Sequence, residues 1–270
     1  MAQETWAGPL GEMRAASTAD GGTALTTTAQ VIPLPAGTAH VSVEGRNYST
    51  AVVSKIALVP WLTILKTADL LATVTDYSSE AQDASTSTDV TLSSLDTFAN
   101  GDAVYIGSHL PFRGVLCDVD AANGTASVLS ADYRKSDDTW AALTVTDGTA
   151  SGGAAFAQDG AITWTMPTDW VAAALSVAVT TTGAAVPNQG APLYWVRLKV
   201  SAALDSSTTL NSMYALSRST SYAELVTGRV LEFAVTRGHG GVAGIEALTN
   251  AGTANLIVNV AAKYGSRGFV

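Results

Sequence analysis

Leu193-Tyr194-Trp195-Val196-Arg197-Leu198-Lys199-Val200 is the stretch that decides the class of fold. Tyr194, Val196, Leu198 and Val200 alternate with Leu193, Trp195, Arg197 and Lys199. An extended chain with this order has one apolar face and a second face that ends in charge, the pattern of a half-buried strand. The same period of two places Ile162, Trp164 and Met166 on one face of a strand. Pro167 ends that strand and sets up the turn Thr168-Asp169-Trp170.

Working outward, β-branched runs lie between turn signals along the chain. Ala29–Leu34, His40–Val43 and Tyr48–Leu58 read as strands, and Val59–Leu65 as a buried run interrupted by Pro60. Ser78–Ser87 is polar and reads as a linker or exposed loop. The pairs Asn100-Gly101 and Asn123-Gly124 predict hairpin turns, because both residues tolerate positive φ, and Asp147-Gly148 predicts a third turn. Ala223–Val235 and Ala254–Ala262 read as long strands on either side of the glycine-rich Arg237–Gly241. No apolar stripe of helical period extends for three turns, so the chain is all-β.

The charge is unevenly placed. Asp76–Asp169 holds 14 acids against the three bases Arg113, Arg134 and Lys135, while the residues after it hold four acids and seven bases. An acidic middle repels nucleic-acid phosphates and reads as a water-facing part. The expected organisation is a β-sandwich, jelly-roll-like, with a second β-rich domain inserted into it. Its parts are an N-terminal arm over 1–22, a docking sandwich from 23–75 plus 217–270, and an inserted acidic module over 76–216. Two sequential domains are the simpler alternative. In the arm, Trp6 and Leu10 are isolated anchors for a latch onto a neighbour, against the default of a frayed end.

Little in the chain suggests catalysis or a cofactor. His40, His109 and His239 lie far apart without a second ligand at metal spacing. Gly238-His239-Gly240-Gly241 lacks the lysine of a phosphate-binding loop, and no G-x-S-x-G elbow occurs. Cys117 is the single cysteine and reads as a buried, inert thiol. Asp137-Asp138 ahead of Trp140 is the place to look for a glycosidase pair. Adjacent strand residues point to opposite faces, which argues against it. Asp118, Asp120 and Asn123 offer oxygen ligands for calcium without completing a calcium loop. No basic, apolar leader opens the chain, and no apolar run reaches the length of a membrane span. Neither nucleic acid nor membrane is an expected partner.

Three strings carry a family resemblance: GDAVYIGS (Gly101–Ser108), TWAALTVTDGTASGGAAFAQDGAITWTMPTDW (Thr139–Trp170) and YWVRLKVSAAL (Tyr194–Leu204). In this order they resemble a β-module of tailed-bacteriophage virion structural proteins, with its Trp-x-x-Pro-x-Asp-Trp and Tyr-Trp-Val-Arg strings. The likeness covers Gly101–Leu204, 104 of the 270 residues. It implies a non-enzymatic building block of the virion, assembled in the host bacterial cytoplasm. Its expected partners are copies of itself, as a homo-oligomer, and other virion proteins. A capsid-surface decoration protein is the preferred position, with a tail, baseplate or fibre component as the alternative. Trp140, Trp164, Pro167, Trp170, Tyr194, Trp195 and Arg197 are the expected core of the module. Arg197 is expected to pair with a carboxylate such as Asp169 or to lie across an indole. The competing reading makes Trp140, Trp164, Trp170 and Trp195 a platform for host glycans.

Overall fold

A computed structural model describes residues 22–46, 48, 52–68, 73–83, 85–87, 89–93, 95–137, 139–175, 191–252 and 254–262. Residues 1–21 of the expected arm, with Trp6 and Leu10, and Asp138 lie outside them. The protein is all-β and built of antiparallel sheets, with short 3-10 turns as its helical segments. It divides into two compact units, Met1–Val59 with Thr220–Val270, and Pro60–Ser219.

The first unit begins with β1 (Thr23–Leu25), β2 (Gln30–Pro33), β3 (Thr38–Arg46) and β4 (Ser54–Pro60). The second unit then runs through β5 (Leu62–Ala68), β6 (Thr73–Asp76), β7 (Val90–Thr91), β8 (Ala103–Ser108), β9 (Gly114–Ala121) and β10 (Leu129–Arg134). It continues with β11 (Trp140–Leu143), β12 (Val145–Asp147), β13 (Gly160–Trp164), β14 (Ala172–Ala173), β15 (Leu193–Val200) and β16 (Thr209–Leu216). The chain returns to the first unit with β17 (Ala223–Leu225), β18 (Val230–Ala234), β19 (Val242–Thr249) and β20 (Ala254–Ala262).

The first unit is one long antiparallel ribbon rolled on itself. Its arms pair as β1 with β20, β2 with β19, β3 with β18 and β4 with β17. Rolling adds β20 against β3 and β19 against β4, giving two four-stranded sheets, β1-β20-β3-β18 and β17-β4-β19-β2. Successive strands alternate between the sheets except at the tip, where β4 and β17 pair in one sheet, which is the winding of an eight-stranded jelly roll. The second unit occupies the β4–β17 connection, at the tip of the ribbon. A connection there lengthens without separating any paired strands, so the sandwich tolerates a whole domain at that point.

Alternation builds the sandwich core. In β3, Val41 and Val43 are fully buried while Ser42 and Glu44 are not, and they meet Ile56, Ile245, Leu256 and Val258. Each fully buried aliphatic contributes about 1.5–3 kcal/mol relative to exposure. The expected strand Ala223–Val235 is two strands in different sheets. Gly228 breaks it with φ 75°, in a turn closed by Arg229 N–H donating to Val226 O at 3.1 Å.

The insertion starts earlier than charge suggested. The expected border near 76 moves to Pro60, because β5 pairs with β8 from Leu62↔Ser108 to Thr67↔Ala103 and so belongs to the second unit together with β6. That unit holds one sheet ordered β11-β10-β15-β8-β5-β6, with β14 also on β15, and another ordered β12-β13-β9-β16-β7. Sixteen acids and seven bases fall in Pro60–Ser219 against seven and seven in the other unit, so the insertion carries the whole net charge of −9.

Three local expectations are corrected. Ser78–Ser87 is not a loose linker at its start: Glu80–Gln82 is a 3-10 turn that buries Gln82 completely. The Gln82 amide donates to Leu62 O and accepts from Leu62 N–H, both at 2.8 Å, and so stands in for a neighbouring strand. Asn100-Gly101 is not a hairpin turn. Gly101 closes the 3-10 turn Phe98–Asn100 with φ 75°. Asn123-Gly124 does not join paired strands either, since β9 and β10 lie in different sheets. Asn123 is buried and bonded to Thr125, Ser127, Ala155 and Asp205, which knots three loops together.

Candidate functional site

The residues singled out in the second unit form two aromatic groups. Trp164 ends β13, where its alternation with Ile162 turns both inward; they are 7% and 0% exposed. Its ring meets Phe112 at 5.4 Å in a T-shaped contact, and its indole N–H donates to Phe112 O at 3.1 Å. Trp170, also 7% exposed, lies 5.3 Å from Phe112 and 5.6 Å from Tyr194. Its indole N–H donates to Trp195 O at 3.2 Å. Pro167 is half-buried in the connection between β13 and Trp170.

The second group lies on the sheet face that carries Trp195. Register across four strands sets Asp132, Arg197, Tyr105 and Leu65 in one row on that face. Arg197 Nε donates to Asp132 Oδ2 at 2.7 Å, and Lys199 Nζ reaches the same oxygen at 2.7 Å. The Arg197 guanidinium lies 4.2 Å from the Phe98 ring centroid and 4.5 Å from that of Trp140. Trp140 meets Tyr105 edge-on at 5.7 Å. Burial pushes the Tyr105 hydroxyl above the usual tyrosine range, partly offset by Arg197.

This arrangement decides between the two expected partners of Arg197. It lies across an indole, but its carboxylate is Asp132, directly opposite on β10, and not Asp169. Asp169 accepts from Tyr133 Oη at 2.8 Å and lies 3.8 Å from Lys135 Nζ. The β15 strand is covered on both faces and not on one. Trp195, an expected core residue, is fully buried on the face that ends in Arg197 and Lys199, its indole laid on Gly107 and its N–H given to Ala173 O at 2.9 Å. Phe98, Tyr105, Phe112, Asp132 and Lys199 complete the two groups. The signal for Asp132 is its place directly opposite Arg197 on the neighbouring strand, which is invisible before the strands are paired.

The alternative sites gain no geometry. Among the described residues, no group of three or more His, Cys, Asp or Glu side chains is arranged to hold a metal ion. Asp118 accepts from Asn211 at 3.2 Å and Asp120 from Thr209 at 3.0 Å, so donors of the protein occupy both. Asp137 accepts from the Thr139 hydroxyl and amide, which hold it below the usual carboxylate range and unfit it as a general acid. Cys117 is buried, and desolvation pushes its thiol far up, away from the reactive thiolate. His239 is exposed at the tip of a tight turn in which Arg237 Nε donates to Leu34 O at 2.6 Å.

Fold and site together define a jelly roll with an inserted acidic β-module in which Trp164, Trp170 and Trp195 are buried. No family model matches the chain, and no curated protein matches it either.

Proposed function

We propose that this protein is a non-enzymatic structural component of a tailed-bacteriophage virion. Its preferred place is the capsid surface, where the jelly roll docks and the acidic module is carried. The observation that supports this most is the insertion of a whole domain at the tip of a rolled ribbon, with all net charge on the insert. Such a chain separates a neutral scaffold, suited to contact, from a strongly charged part, suited to water. Jelly rolls serve in viral capsids, and also in lectins. The burial of Trp164, Trp170 and Trp195 speaks against an indole platform for glycans, because stacking on a sugar needs an exposed ring face.

The test is reconstitution. Purified protein mixed with particles that lack it should co-sediment with them at a fixed stoichiometry. The first unit with its insertion replaced by a short Gly-Ser linker should compete for the same positions. Absence of the chain from purified particles, or binding by the isolated insertion alone, would overturn the proposal.

A further inference from the structure

Asn100-Gly101 and Asn123-Gly124 are the two Asn-Gly pairs of the chain, and neither joins paired strands. The dipeptide has a chemistry of its own. Glycine has no Cβ to keep its backbone nitrogen away from the carboxamide carbon of the asparagine before it, so the two can close a five-membered imide. Whether they do so in a folded chain depends on what holds each group.

The two pairs are held in opposite ways. Asn123 is 2% exposed, and its Nδ2 donates to Thr125 O, Ser127 Oγ and Ala155 O at 2.9, 3.1 and 3.0 Å. Its Oδ1 accepts from the Thr125 and Asp205 amides. The Gly124 N–H donates to Asp205 Oδ2 at 2.6 Å, and a carboxylate at that distance opposes loss of the proton. Asn100 is exposed, and among the described residues its side chain makes one hydrogen bond, from Nδ2 to Asp96 Oδ2 at 2.6 Å. The Gly101 N–H closes the 3-10 turn Phe98–Asn100 on Phe98 O at 2.9 Å. Such turns have poor hydrogen-bond geometry, and a single one at the surface opens locally at little cost.

We propose that Asn100 is a modification site at which the folded protein deamidates spontaneously, with water as the co-reactant, while Asn123 is locked against the same reaction. The Gly101 nitrogen loses its proton and bonds to the Asn100 Cγ, the Cγ–Nδ2 bond breaks, and ammonia leaves. Water then opens the imide at either carbonyl, to aspartate or to isoaspartate. The product carboxylate stands where an amide donor met Asp96, so two like charges face each other. Isoaspartate also lengthens the main chain inside the turn that Gly101 closes. Phe98 belongs to that turn and lies 4.2 Å from the Arg197 guanidinium, so the conversion loosens the cover over Arg197. The reaction belongs to the chain itself and stands apart from the virion reading.

The experiment holds the purified full chain in mildly alkaline buffer, folded or unfolded in guanidinium chloride, and follows both pairs by peptide mass spectrometry that separates aspartate from isoaspartate. Unfolded, the two should convert at similar rates. Folded, Asn100 should convert at least about ten-fold faster than Asn123, because the rate follows local opening. Each product at position 100 should carry one oxygen from isotopically labelled water. Asn100→Gln should stop the reaction there, since glutamine must close a larger ring. Asn100→Asp carries the new charge without the longer main chain, and should speed amide hydrogen exchange across Phe98–Asp102. An Asn100 that stays intact in the folded chain while it converts in denaturant would overturn the proposal. So would an Asn123 that keeps pace with it in the folded chain, or unchanged exchange in Asn100→Asp.

Discussion

Asp132 Oδ2 stands 2.7 Å from Arg197 Nε and 2.7 Å from Lys199 Nζ, a single carboxylate between two cations in a largely buried setting. Asp132→Ala leaves the two positive charges together without a counter-ion. Breaking a buried pair from one side costs about 3–5 kcal/mol, so the second unit should melt roughly 6–20 °C lower. Arg197→Met should cost less, since Lys199 still pairs with Asp132 and the methionine packs on Phe98 and Trp140. Equal melting temperatures for the two variants would contradict this ranking.

Gly107 and Trp195 are fitted to one another. A Cβ on Gly107 would lie 2.6 Å from the Trp195 ring. Gly107→Ala should destabilise by about 1–3 kcal/mol through overpacking, and Trp195→Ala by about 3–5 kcal/mol through loss of a buried ring. In Gly107→Ala/Trp195→Leu the first penalty should shrink, giving a non-additive cycle in thermal denaturation. Additive effects would mean that the two residues do not share the space.

Gln82 acts as a backbone surrogate at Leu62. Gln82→Leu leaves a buried N–H and C=O without partners and should cost about 2–3 kcal/mol. Faster amide exchange at Leu62, read by hydrogen-exchange mass spectrometry, should accompany the loss. Unchanged protection there would refute the surrogate role.

Asp205 is held at a pKa of about 2, first by the Gly124 backbone N–H at 2.6 Å and then by the Ser207 hydroxyl and amide. A carboxyl depressed in the folded state stabilises above its unfolded pKa of about 4, and the gain is lost as pH falls toward about 2. Asp205→Asn should flatten the acid limb of the stability profile between those values. An NMR titration of the Asp205 carboxyl with a midpoint near the ordinary value would exclude this.

What the sequence determined by itself is local. Alternation in β15 and β13 set the strands and the inward side of Trp164, and the scarcity of helical stripes set the all-β class. The uneven acids pointed to a separate insertion, although its border lies at Pro60 because β5 finds its partner in β8. Pairing between distant strands was decided only in three dimensions. Asp132 and Arg197 are 65 residues apart, and nothing near either names the other. The second buried face of β15, the knot at Asn123 and the Gln82 plug follow from the same cause. A period of two assigns side chains to faces, but long-range register decides which face is covered and by what.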